Sequence, residues 1–233
     1  MHDLIIRDAK IVDGTGAEAY SGDIAIDGST LTQVGGSAGP GKREITANGA
    51  MATPGWVDVH THYDGQVTWD PLVSPSSWHG VTSIVMGNCG VGFAPVRPTD
   101  HNMLIELMEG VEDIPGAALH EGVPWNWESF PEFMDALDAM PRAIDISTQV
   151  PHNPVRAYVM GEDAASDRPS TPEEREEMAD IVASGLRAGA LGFTTSRTKF
   201  HRTSPGEHVP SHFADLEELR VICRSLKDHG DGV

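Results

Sequence analysis

His60, Thr61 and His62 close the run Pro54-Gly55-Trp56-Val57-Asp58-Val59, which reads as a buried strand. Side chains alternate across a strand, so residues two apart share a face. Two imidazoles placed one pleat apart can converge on one cation, and neutral imidazole nitrogen is a favoured zinc ligand. A second apolar run, Val81-Thr82-Ser83-Ile84-Val85-Met86, leads into Gly87-Asn88-Cys89-Gly90 and sets a thiol just past the next strand. A lone cysteine is usually a small buried apolar residue. Next to a His-x-His strand end it becomes a candidate ligand, because a thiolate is a charged, soft donor that zinc deprotonates outright. The candidate metal set is therefore His60, His62 and Cys89.

Other polar residues fall near the same strand ends. Asp58 has the parity of His60 and His62, so it is expected to point inward one layer lower. It reads either as a satisfied carboxylate or as an acceptor for an imidazole N–H that would fix the ligand tautomer. Asp64 follows closely and is a candidate to border a substrate, although loop aspartates are commonly just solvated. Arg197, in Thr195-Ser196-Arg197-Thr198, is a candidate to grip a substrate carboxylate in two-pronged fashion; a surface salt bridge is its plainer reading. His152 sits past a third strand and reads equally as a satisfied loop histidine. Trp69, Trp78, Trp125 and Trp127 fall in loops or insertions, where they either wall an acyl pocket or pack the insertion. Cys223 lies on an apolar helical stripe and reads as core. His79, His101, His120, His201, His208, His212 and His229 show no usable pattern.

These residues need a scaffold that brings strand ends together. Residues 1–52 read as a small β domain of short strands and tight turns, among them Asp13-Gly14 and Asp27-Gly28, which are hairpin signals. From residue 53 to 233 apolar strands alternate with helices. The strands are Val57–His60, Thr82–Met86, Ile144–Val150 and Gly189–Ser196, with Asp231-Gly232-Val233 opening a fifth. An insertion over about 90–142 carries helices near Asn102–Glu109 and Ser129–Met140. Thr171-Pro172-Glu173-Glu174 is a capping box, followed by Met178, Ile181, Val182 and Leu186 at helical spacing and by Gly189 as a stop. A last helix over Asp215–Asp228 turns Leu216, Leu219, Ile222, Cys223 and Leu226 inward. Near-continuous apolar strands alternating with helices predict an α/β fold with a covered parallel sheet, whose sites lie beyond the strand ends. A full eight-fold barrel takes about 250 residues. The chain is accordingly expected to be the N-terminal part of a longer protein.

Composition narrows the partners. With 16 basic against 35 acidic residues the net charge is -19, which disfavours nucleic acid and anionic membranes. No apolar run approaches membrane-spanning length, and Met1-His2-Asp3 does not open a signal segment. Two cysteines in unlike contexts suggest no disulfide framework. A cytoplasmic location is expected.

The small β domain followed by Gly55-Trp56-Val57-Asp58-Val59-His60-Thr61-His62 resembles the amidohydrolase superfamily of metal-dependent hydrolases. Gly87-Asn88-Cys89-Gly90-Val91-Gly92-Phe93-Ala94-Pro95 resembles its D-aminoacylase branch, the N-acyl-D-amino-acid deacylases. The resemblance implies the first four to five strands of a (β/α)8 barrel and zinc at His60, His62 and Cys89, with one ion held tightly and room for a second, weaker one. It implies hydrolysis of an N-acyl-D-amino acid to a carboxylate and a free amino acid. It places two further histidine ligands and the aspartate that serves as general base beyond residue 233, so no catalytic base falls within this chain and the C-terminal half of the barrel is required; an oligomer is compatible. Two other readings stand beside it. One is a cyclic-amide or isoaspartyl-dipeptide hydrolase of the same superfamily, against which Thr194-Thr195-Ser196 offers no lysine to carboxylate. The other is a non-catalytic half-barrel that assembles with a partner segment, because exposed strand edges associate.

Overall fold

Ile5, Ala9, Ile11 and Ala25 are buried apolar residues of the N-terminal sheet. The computed structural model of the protein describes residues 1–230, which divide into two units at Gly55 and Trp56. In the first, β1 (His2–Ile11) pairs antiparallel with β2 (Tyr20–Asp27), which carries β3 (Thr30–Val34) on its far side. β4 (Gly41–Thr46) and the short β5 (Met51–Ala52) both run parallel to β1. β1 is one continuous strand bent at Asp8 (φ 52°), where the register shifts between Ile6 and Ala9. A bulge of this kind lets one strand turn without ending. The Asp27-Gly28 hairpin forms as expected, with Asp27 paired to Thr30 and Gly28 at φ 59°.

In the second unit β6 (Trp56–Asp58), β7 (Val81–Met86) and β8 (Asp145–Thr148) form a parallel sheet in that order. β9 (Val150–Pro151) and β10 (Phe193–Thr194) form a second parallel pair. The expected third strand is thus split at Gln149, yet Leu191 N–H still donates to Thr148 O at 2.9 Å and Val150 N–H to Gly192 O at 2.8 Å. Four successive parallel strand positions result, as expected of the first part of a barrel. The fifth strand expected at Asp231–Val233 lies outside the described residues.

The insertion holds three helices, α1 (His101–Glu112), α2 (Gly116–Gly122) and α3 (Phe130–Asp138), of which α2 was not foreseen. Then come α4 (His152–Met160), α5 (Pro172–Arg187) and α6 (Leu216–His229). The capping box of α5 is present: Thr171 Oγ1 accepts from Glu174 N–H, and Glu174 accepts from Thr171 N–H at 2.7 Å. One core cluster joins β7 through Ile84 and Met86 to α1, α3 and α5 through Leu107, Phe130 and Val182.

Two burial expectations are corrected. The Pro54–Val59 run is not a buried strand: Trp56, Val57 and Val59 are exposed, and among the described residues β6 is the edge strand of its sheet, paired on one side only. Nor do Leu216 and Cys223 face inward from α6; both are exposed, while Glu218, Val221, Ile222 and Ser225 are buried. The helix is rotated because Glu218 is drawn into a buried ion pair with Arg156, and Ser225 donates to Ala179 O of α5 at 2.9 Å. Among the described residues no helix is long and apolar enough to cross a membrane.

Candidate metal centre

β6 ends at Asp58, two residues before the first histidine, so the histidine pair does not ride on a strand pleat. It is set by Thr61 instead. Thr61 N–H donates to Val85 O of β7 at 3.0 Å and its hydroxyl to the same oxygen at 2.9 Å. His60 and His62 flank that anchor, their ring centroids 5.3 Å apart at 62°. On the neighbouring strand, β7 gives way to Gly87, Asn88 and Cys89. Cys89 Sγ comes within 3.4 Å of His60 Nε2. One ligand atom from each of His60, His62 and Cys89 lies within 4.8 Å of the others, a plausible metal-binding cluster.

The turn that carries the thiol is left-handed at three positions, Gly87 (φ 79°), Cys89 (φ 55°) and Gly90 (φ 72°). Only glycine enters that region without a steric cost. At Gly87 a Cβ would also meet Gln149 O at 2.4 Å. Gly87→Ala is therefore expected to destabilise the protein by about 2–4 kcal/mol, combining left-handed strain with a backbone clash. Thermal or urea unfolding of the variant measures this, and an unchanged transition would refute it.

The donors fit a soft or borderline divalent ion. Two nitrogens and a sulfur are a zinc-type set. His62 Nδ1 is buried and, among the described residues, has no hydrogen-bond partner. Burial, reinforced by His60 and His201, holds the His62 pKa down to about 4, so the ring is neutral and its lone pair available at neutral pH. Burial and then the nearby Glu112 push the Cys89 thiol up to about 11. A bound cation reverses that preference, since it stabilises the thiolate directly.

Glu112 was not foreseen. Its Oε2 lies 3.2 Å from His62 Nε2, and burial, with Asp113 adding, raises its carboxyl to about 7. That contact is not a fully charged pair at neutral pH, because the imidazole is uncharged. Glu112 ends α1 in the insertion, where nothing in the local sequence distinguishes it from a surface glutamate.

Of the other expected residues, Asp58 accepts from the main-chain N–H of His60 at 3.2 Å, so its observed contact is with backbone and not with a ring nitrogen. Asp64 is buried and does not border open space; its Oδ1 accepts from Gly87 N–H at 2.8 Å, and burial drives its carboxyl up to about 7. Arg197 is exposed and, among the described residues, makes no ion pair. His152 is fully buried at the start of α4, bonded to Thr195 Oγ1 at 2.7 Å and to Glu218 Oε1 at 2.9 Å. Trp127 is buried and donates to Phe93 O at 2.8 Å, while Trp125 stacks on His101 at 4.0 Å, so both pack the insertion. Trp78 and Trp69 are exposed.

Comparison with known proteins places this arrangement. The model of the amidohydrolase family matches residues 43–232. The chain belongs to that family. Within the amidohydrolases it is related to the D-aminoacylases. It is 28% identical over 229 residues to the D-aminoacylase of Alcaligenes xylosoxydans xylosoxydans, covering 98% of this chain and 43% of that protein. It superposes with a TM-score of 0.80 and 29% identity on a solved D-aminoacylase with a binuclear metal center, over 99% of this chain and 44% of the other. An N-acyl-D-glutamate deacylase from Bordetella bronchiseptica, solved with zinc and a phosphonate inhibitor, gives a TM-score of 0.73 at 26% identity, over 99% and 44%. The chain thus spans less than half the length of these relatives and corresponds to their N-terminal portion.

Proposed function

We propose that this chain is the metal-binding N-terminal portion of a zinc-dependent amide hydrolase that deacylates N-acyl-D-amino acids to a carboxylate and a free amino acid. The observation that carries the reading is the convergence of His60, His62 and Cys89, whose ligand atoms lie within 4.8 Å of one another. The kinship with D-aminoacylase, and zinc in the related N-acyl-D-glutamate deacylase, support the choice of metal and substrate.

His60, His62 and Cys89 would hold the zinc ion, which would supply Lewis-acid polarisation of the scissile carbonyl. The residues of this chain prepare for it. His62 is held neutral and ready to bind, and Cys89 gives up its proton on binding. Thr61 fixes the spacing of the two imidazoles by two hydrogen bonds to Val85 O, from its N–H and its hydroxyl. Arg197, unpaired among the described residues, is assigned to the substrate carboxylate. The general base and remaining ligands are assigned to the C-terminal half of the barrel.

The test uses the full-length protein. Metal analysis is expected to find zinc, and hydrolysis of N-acetyl-D-amino acids is expected to exceed that of the L-enantiomers. Absence of bound metal in active protein, or no preference for D substrates, would refute the reading. Arg197→Ala is expected to raise KM about 10–100-fold with a smaller change in kcat, the range of a lost charge-assisted hydrogen bond. A KM that does not move would remove Arg197 from the substrate site.

A further inference from the structure

Cys89 is a non-glycine residue held in the left-handed region (φ 55°), and most of the contacts that hold its turn come from chain segments far away. Asp64 Oδ1 takes the N–H of Gly87 at 2.8 Å. Asn88 donates to Val85 O at 3.0 Å and accepts from Gln149 Nε2 at 3.1 Å. Asn153, fully buried on α4, donates to Gly90 O at 2.7 Å and accepts from Ser211 N–H at 2.7 Å. One side chain reaches both flanks of the cysteine. The Thr194 hydroxyl donates to Gly87 O and accepts from Gly90 N–H at 3.1 Å, so a single oxygen closes the turn around Cys89.

Every other side chain in this set binds the turn on one side only. Thr194 is also the last residue of β10, so its hydroxyl couples the end of the fourth strand position to the thiol-bearing turn beyond the second. A residue kept in a sparsely populated backbone state persists only when its surroundings over-determine it. Metal ligands in turn owe their orientation to such outer contacts, whose loss costs about 10–100-fold in affinity.

We propose that Thr194 is a positioning residue: its hydroxyl clamps the Gly87–Gly90 turn so that the Cys89 sulfur faces the two imidazoles before any metal arrives. The inference rests on the metal-site reading above. It assigns a role to the position next to Thr195 and Ser196 that is independent of their own side chains.

The test is cobalt(II) titration of the full-length, metal-free protein, followed by the sulfur-to-cobalt charge-transfer absorption. Thr194→Val, which keeps shape and removes the hydroxyl, is expected to weaken binding about 10–100-fold and to diminish the band per bound cobalt. Thr194→Ser is expected to restore both. If Thr194→Val binds cobalt with the wild-type affinity and band while Cys89→Ser abolishes the band, the clamp is refuted and the metal site stands. If Cys89→Ser leaves binding and band unchanged, the metal-site reading fails and the clamp with it. Should Thr194→Val not fold, the metal-free wild type decides: chemical shifts placing Cys89 at negative φ, or rapid exchange of the Gly90 N–H, would refute a preformed turn.

Discussion

Replacing Cys89 by serine is expected to weaken zinc binding by more than about 100-fold, beyond what the loss of an outer contact costs. The physical reason is charge as much as geometry. His60 and His62 supply only neutral nitrogens, so the thiolate is the one anionic donor of the trio. A serine hydroxyl occupies the same turn but stays protonated and binds zinc poorly. Competition with a chromophoric chelator reads the affinity, and circular dichroism shows that the fold is retained. A serine variant that competes as well as wild type would take Cys89 out of the metal centre.

Loss of the Glu218 carboxylate is expected to lower stability by about 3–5 kcal/mol, the cost of breaking a buried charge pair. Glu218, Arg156 and His152 are all fully buried. The Arg156 guanidinium pairs with one carboxylate oxygen of Glu218, which also accepts from Ser170 Oγ at 2.6 Å; His152 Nε2 lies 2.9 Å from the other. Removing the carboxylate leaves the Arg156 cation in the interior without its partner. For a unit of this size the midpoint of thermal unfolding should fall by about 10 °C in Glu218→Ala. Unchanged melting would refute the assignment.

The same group predicts a pH dependence. Burial by itself raises the Glu218 pKa, but hydrogen bonds from His152, Ser170 and Arg156 more than reverse this and bring it to about 2. A carboxyl depressed in the folded state stabilises above its unfolded pKa and loses that contribution on acidification. The contribution is therefore complete at neutral pH and disappears as pH falls from about 4.5 towards about 2. Glu218→Gln, which has no proton to gain, should lose less stability over that window, so the gap between variant and wild type narrows as the solution is acidified. Parallel denaturation curves at each pH measure the gap, and a constant gap would contradict the assignment.

The residue types at 60, 62 and 89 were legible without a structure, and so was the alternation of strands and helices that brings strand ends together. Local signals carried that far because a His-x-His at the end of an apolar run, a glycine-flanked cysteine and a Thr171 capping box each depend on a few adjacent residues. Tertiary structure decided the rest. It ended β6 at Asp58 and spaced the histidines through Thr61 and Val85, a contact 24 residues apart. It buried Asp64 under the Gly87 turn, brought Glu112 to His62, and rotated α6 until Glu218 met Arg156. Most of these outcomes depend on a polar contact between residues far apart in the chain. Hydrophobic periodicity records which face of an element is apolar, but not which polar side chain the fold will draw into its interior once a partner there can satisfy it.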